Sequence, residues 1–204
     1  MNIFQKLSEK SWANPGVVGE INDRSLGMGP AAKTCLGFFI AVLSSMFFLF
    51  IMGYRFRMEE ADWVAIADPG LLWVNTLLLI LSSVFMQRAK AAADRSSIVE
   101  VRNNLTIGGL LGIIFLVCQY MAWRELQAAG FYAATDPAAA FFYLLTALHG
   151  VHLLGGLFVW SRATAKAWQQ VEVARIKLSI ELCTTYWHYL LLVWFVFFTL
   201  LLST

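Results

Sequence analysis

Residues 139–161, AAFFYLLTALHGVHLLGGLFVWS, place His149 and His152 inside an otherwise uncharged run. About 20 mostly apolar residues suffice to carry a helix across the ~30 Å hydrocarbon layer of a bilayer. An imidazole is expensive at that depth, so the pair demands a reason. At about 100° per residue on a helix, Phe142, Thr146, His149, His152, Gly156 and Trp160 gather on one side. Leu144, Ala147, Val151, Leu154 and Phe158 gather on the other. The first face is small and polar enough to pack on protein, and the second suits lipid. Both histidines are expected to point into a bundle or a partner.

The rest of the chain fits this reading. Its 204 residues are 59% hydrophobic and only 14% charged, against about 45–50% and ~25% in ordinary soluble domains. Five segments are long and apolar enough to span, at roughly 34–54, 70–87, 104–123, 139–161 and 180–203. A transmembrane barrel would instead show short alternating segments. The expectation is an all-α integral membrane protein with one five-helix domain over 34–204, preceded by a polar segment over 1–33. That segment lacks the pattern of a cleaved leader. Its Ile3, Phe4, Leu7 and Trp12 recur at near-helical spacing, as in a short interfacial helix or a frayed tail.

Basic residues favour the cytoplasmic side of a membrane. Lys6, Lys10, Arg24 and Lys33 precede the first span; Arg88, Lys90, Arg95 and Arg102 lie in the second connection; Arg162, Lys166, Arg175 and Lys177 lie in the fourth. Only Arg55, Arg57 and Arg124 fall on the other side, a split of 12 to 3. An inner-membrane protein with a cytoplasmic N-terminus and a periplasmic C-terminus is expected. The net charge of +2 gives no case for nucleic acid. Cys35, Cys118 and Cys183 sit in three different spans without CxxC spacing, which argues against a disulfide framework or thiolate metal site.

The candidate site residues are the polar groups inside the spans. Asn75 and Ser82 lie two turns apart, and residues of this kind hydrogen-bond across helix contacts. Gly108 and Gly112 form a small-xxx-small pair that admits a close neighbour, and Gln119 falls on the Gly112 face. Gly150 and Gly156 flank the histidines. In the last span Glu181, Thr185, His188, Phe195 and Thr199 share a face. Three readings of the histidines compete: metal or haem ligation, a proton relay, and hydrogen bonds between helices. Ligation would need His188 to join a pair on one helix. A relay usually adds a carboxylate at depth, and Glu181 is near the membrane edge. Packing is the default, with Thr146, His149, His152, Glu181 and His188 as inter-helix glue. No nucleotide loop, HExxH motif or nucleophile elbow appears, so no catalytic or metal-ligating residue is assigned.

Four ordered motifs resemble subunit III of the haem-copper oxidases, in the short five-helix bacterial form, from about residue 34 onward. Thr146, His149, Gly150, His152 and Gly156 match the signature of the penultimate helix. Glu181, Trp187, His188 and Trp194 match the last, Asn75, Thr76 and Ser82 an earlier one, and Gly112, Phe115 and Gln119 the helix between. Acidic residues frequent in the family are replaced by Ser45, Ala122 and Leu191, which puts any proton role of those acids in doubt.

The resemblance implies a non-catalytic subunit of a cytochrome c or quinol oxidase in aerobic respiratory electron transport. Haem, copper and proton translocation would belong to subunit I, with no cofactor in this chain. Subunits I and II and membrane phospholipid would be its partners, and its work would be stabilisation, lipid binding and support of proton uptake and turnover. An accessory subunit of a nitric oxide reductase or of a divergent oxidase is the alternative. A haem-carrying redox subunit built on the membrane histidines and a small transporter are the rivals from other classes.

Overall fold

The computed structural model describes residues 28–61, 63, 70–169 and 173–203. Among them are five helices of membrane-spanning length and composition. These are α1 (Met28–Arg57), α2 (Leu71–Asp94), α3 (Ile98–Ala128), α4 (Pro137–Trp168) and α5 (Val173–Leu202). The all-α, five-span expectation holds. The helices run past the apolar cores read from sequence: α3 starts at Ile98 rather than near 104, and α4 continues to Trp168 rather than 161. Hydropathy marks only the part that lies in hydrocarbon, whereas the backbone ladder continues into the polar flanks. The expected interfacial helix around Ile3–Trp12 lies outside the described residues.

The chain divides into two compact units, 1–35 and 36–204. The described part of the first is the opening of α1, where the Thr34 hydroxyl donates to the Pro30 carbonyl at 2.9 Å. The second holds the bundle.

Local chemistry explains where the helices of the bundle stop. Between α2 and α3 the turn is only a few residues long, with Ser96 in the left-handed region at φ 58°. α3 is closed off by Gly130, φ 92°, where Gly130 N donates to the Gln127 carbonyl and Phe131 N to the Leu126 carbonyl. This paired closure satisfies carbonyls that have no partner within the helix, and glycine is the residue that takes the required backbone without penalty. α4 opens with Asp136, whose carboxylate accepts from Ala138 N and Ala139 N, followed by Pro137 at the first helical position. Both are favoured there because the first turn has N–H groups with no helical acceptor.

α2, α3, α4 and α5 share the larger core, built on Met86, Phe115, Leu153, Trp187 and Trp194. α1 joins through a second cluster, in which Leu43, Phe47 and Tyr54 meet Leu145, Val193 and Phe197. Phe47 stands edge-on to Phe197 at 5.3 Å between centroids. The outward residues of α1, among them Phe38, Val42, Phe48, Leu49 and Phe56, are large, apolar and exposed. That is the surface expected of a helix solvated by hydrocarbon or covered by another apolar chain.

A candidate inter-helix polar site

The buried polar residues of α2 are Asn75, Thr76, Ser82 and Ser83, and each of the first three closes a contact with another helix. Asn75 Nδ2 donates to Gln119 Oε1 on α3 at 2.8 Å. Thr76 Oγ1 accepts from Trp194 Nε1 on α5 at 3.0 Å. Ser82 takes part twice: its hydroxyl donates to the Gly108 carbonyl of α3 at 2.6 Å and accepts from Trp187 Nε1 of α5 at 2.8 Å. One hydroxyl therefore ties three helices together. In hydrocarbon no water competes for these groups, so each left open would cost more than it does at a protein surface.

Indole nitrogens supply several of the donors. Trp123 Nε1 of α3 donates to Thr146 Oγ1 of α4 at 2.9 Å. Trp160 Nε1 of α4 donates to the Leu105 carbonyl of α3 at 2.7 Å. Indole is apolar apart from one N–H, so it fills core volume and still pins a neighbour in register. The sequence reading put Trp160 on an inward face and Trp187 and Trp194 among the matched motif residues, but assigned the inter-helix bonding to other side chains. A signal was present in Trp187 and Trp194, spaced two turns apart on one face of α5.

The glycines make room for these rings. A Cβ at Gly112 would stand 2.8 Å from Trp187 Cζ2, and one at Gly156 3.2 Å from Tyr186 Cε1. At Gly108 it would meet Met86 Sδ at 3.1 Å. Gly150 is different, since its nearest neighbour would be Leu116 Cδ2 at an ordinary 3.7 Å. It is not a point of close approach.

The histidines depart from their expected role. His149 is fully buried, yet neither ring nitrogen has a hydrogen-bond partner among the described residues. Its imidazole sits among Phe115, Trp194 and Phe197, with centroids 5.4 Å from Trp194 and 6.0 Å from Phe115. The helical face pointed inward as expected, but the ring meets aromatic carbon rather than a polar partner. His152 is half-buried and spends Nδ1 on the Leu148 carbonyl of its own helix at 2.7 Å, with its ring against Phe47. Its backbone carbonyl, not its imidazole, reaches α5, accepting from Tyr186 OH at 3.2 Å.

On α5 the expected polar face is the outer one. Thr185, His188, Phe195 and Thr199 are exposed and Glu181 is half-buried, while Ile176, Ile180, Trp187, Leu190, Trp194 and Phe197 turn inward. Thr185 and Thr199 close their hydroxyls on the carbonyls of Glu181 and Phe195, one turn back, and so need no other helix. His188 bonds across an interface: its Nε2–H donates to Gln87 Oε1 at 3.1 Å and its Nδ1 accepts from the Ser83 hydroxyl of α2. Among the described residues no group of three or more His, Cys, Asp or Glu is placed to hold a metal ion.

An open groove of about 470 Å³ lies where the C-terminal ends of α1 and α5 meet, lined by Ile51, Arg55, Phe195, Val196, Thr199, Leu200 and Ser203.

The sequence profile described as "Cytochrome c oxidase subunit III" matches residues 35–203, which takes in every inter-helix bond described above. The chain belongs to that family. Among curated relatives it is 32% identical over 126 residues to "Probable cytochrome c oxidase subunit 3" of Mycobacterium tuberculosis (strain ATCC 25618 / H37Rv), 62% of each chain. It is 31% identical over 133 residues to "Cytochrome c oxidase subunit 3" of a Synechocystis strain, 65% of this chain and 54% of that one. It is 28% identical over 126 residues to "Cytochrome bo(3) ubiquinol oxidase subunit 3" of Buchnera aphidicola, 62% of each. The match thus spans 62% or less of these relatives' own length. Within the family match, Asn75, Gln119, Thr146 and Ser82 are the groups the bundle brings together.

Proposed function

We propose that the chain is a non-catalytic subunit of a bacterial haem-copper terminal oxidase, built to brace the catalytic subunit in the inner membrane. The observation that carries this reading is the family match over all five helices. The internal chemistry supports it, because the buried polar groups of α2 are spent on holding helices together. Subunits I and II are its partners and carry the haem and copper. The distribution of basic residues supports a cytoplasmic N-terminus and a periplasmic C-terminus.

Lipid binding belongs to the same proposal. The groove between α1 and α5 has apolar walls with Arg55 among its lining residues, which suits an acyl chain whose anionic headgroup meets a guanidinium. Support of proton uptake is ascribed to bracing, since Ser45, Ala122 and Leu191 stand where the family often carries acids.

The test is mild-detergent purification of the tagged chain, with identification of co-purifying chains and an absorption spectrum. A haem-bearing oxidase subunit should co-purify, and the haem bands should leave with it when the complex is split. A stoichiometric Soret band on the isolated chain would overturn the reading in favour of a redox subunit. Co-purification with a nitric oxide reductase instead would move it to the alternative complex.

A further inference from the structure

Asn75 on α2, Gln119 on α3 and His149 on α4 are all buried, and together they carry four buried polar atoms with no partner among the described residues. These are Asn75 Oδ1, Gln119 Nε2 and both ring nitrogens of His149. The two amides already share one bond, from Asn75 Nδ2 to Gln119 Oε1 at 2.8 Å. What is left over is the acceptor of one amide and the donor of the other, on adjoining side chains. The packing sets His149 beside them. Phe115, Gln119 and Trp123 follow at single-turn intervals along one face of α3. Phe115 stands 6.0 Å from the His149 ring, and Trp123 donates to Thr146 at 2.9 Å. Gln119 therefore faces α4 between Thr146 and His149. From the other side, Trp194 lies 5.4 Å from the His149 ring and donates at 3.0 Å to Thr76, the neighbour of Asn75.

The hydroxyls at this level have nothing to offer the open atoms. Thr76 Oγ1 donates to the Leu72 carbonyl at 2.8 Å and accepts the Trp194 N–H. Thr146 Oγ1 donates to the Phe142 carbonyl at 2.6 Å and accepts the Trp123 N–H. A hydroxyl has a single hydrogen to give, so both are spent. The open atoms also select what can meet them. None is reached by solvent from outside, so the ligand must be small. A cation would be repelled by the Gln119 Nε2 hydrogens, and an anion by Asn75 Oδ1. Water both donates and accepts, and internal waters typically make about three hydrogen bonds to groups of this kind.

We propose that Asn75, Gln119 and His149 form a site for one internal water that joins α2, α3 and α4. The water accepts from Gln119 Nε2, donates one hydrogen to Asn75 Oδ1, and donates the other to whichever His149 nitrogen carries no hydrogen. The remaining N–H of the imidazole is left to the aromatic faces of Phe115, Trp194 and Phe197, which can receive it as a weak N–H···π contact. His149 is the least demanding of the three partners, because without it the water keeps both amide bonds. The site lies within the chain's own bundle and does not depend on which complex the chain joins.

The experiment uses the full chain, labelled with the heavy nitrogen isotope and reconstituted in lipid bilayers, and proton-detected solid-state NMR with polarisation transferred from water. A water cross-peak is expected on the Gln119 side-chain amide, together with a His149 ring nitrogen at the shift of a hydrogen-bond acceptor. The backbone N–H of Leu190, buried in α5, is the dry control. Asn75→Leu should abolish the Gln119 cross-peak. His149→Phe keeps both amides and should retain it, which provides a reading even where Asn75→Leu does not fold. A parent chain whose two amides close on each other through a second bond, with no water cross-peak, would overturn the proposal. So would a Gln119 cross-peak no stronger than that of Leu190, one that persists in Asn75→Leu, or one that disappears in His149→Phe.

Discussion

Gly109→Ala adds a single methyl at the tightest point of the α3–α4 contact. The new Cβ would stand 2.5 Å from Trp160 Nε1 and closer still to Cε2 and Cζ2. The ring cannot turn away freely, because its N–H is held by the Leu105 carbonyl one turn before Gly109. Restoring ordinary contact requires the indole to retreat by about 1.5 Å or more, which stretches that hydrogen bond beyond its useful range. Alanine favours the helix by about 1 kcal/mol over glycine. Against this, overpacking costs about 1–3 kcal/mol and an indole donor left without its acceptor about 1–3 more. A net loss of about 3 kcal/mol is expected, when the overpacking and the lost bond are taken near the middle of their ranges.

The assay is unfolding of the whole chain in mixed micelles by SDS titration, followed by circular dichroism. Gly155→Ala is the control, since a Cβ there meets nothing within 4 Å, and it should be neutral or stabilise by up to about 1 kcal/mol. Trp160→Leu should abolish most of the penalty of Gly109→Ala, so that the double variant is little worse than Trp160→Leu alone. If Gly109→Ala matched the Gly155→Ala control within about 0.5 kcal/mol, the close approach of the Trp160 indole to the α3 backbone would be refuted.

Three further perturbations probe the polar site. Asn75→Leu or Gln119→Leu alone should destabilise by about 1–3 kcal/mol through the stranded buried amide, while the double variant should recover part of that loss; purely additive costs in the same titration would mean that the two side chains do not bond. His149→Phe should leave stability within about 1 kcal/mol of the parent, because the ring makes aromatic contacts and no hydrogen bond among the described residues; a loss above about 2 kcal/mol would show that its nitrogens are engaged. Ser82→Ala removes an acceptor from Trp187 and a donor from Gly108, so a cycle with Trp187→Phe should show coupling of about 0.5–1.7 kcal/mol, and zero coupling would dissolve the three-helix node.

The inward face of α4 was legible because it is punctuated: Thr146, His149 and Gly156 interrupt an apolar run at helical spacing, and all are buried. The Gly108–Gly112 pair was legible for the same reason. α5 misled, because Thr185, His188 and Thr199, read as one inter-helix face, lie on the outside. In water, polarity reports exposure, but lipid chains are as apolar as leucine, so an apolar face does not say whether it meets lipid or protein. Thr185 and Thr199 are tolerated outside because each closes on its own helix.

The sequence by itself determined that the chain makes five spanning helices, where their apolar cores lie, and the family to which its motifs belong. Those properties are local: they follow from the length of apolar runs and from residues at fixed spacing along one helix. Only the tertiary structure decided that tryptophans and hydroxyls, rather than His149 and His152, bind the helices together. Periodicity fixes the direction a side chain takes from its own axis, but a hydrogen bond needs a second atom within about 3 Å. Where that atom lies depends on how another helix crosses, which no pattern within one helix records. His149 faces inward as its spacing requires, and meets Trp194 and Phe197 because α5 brings its rings there.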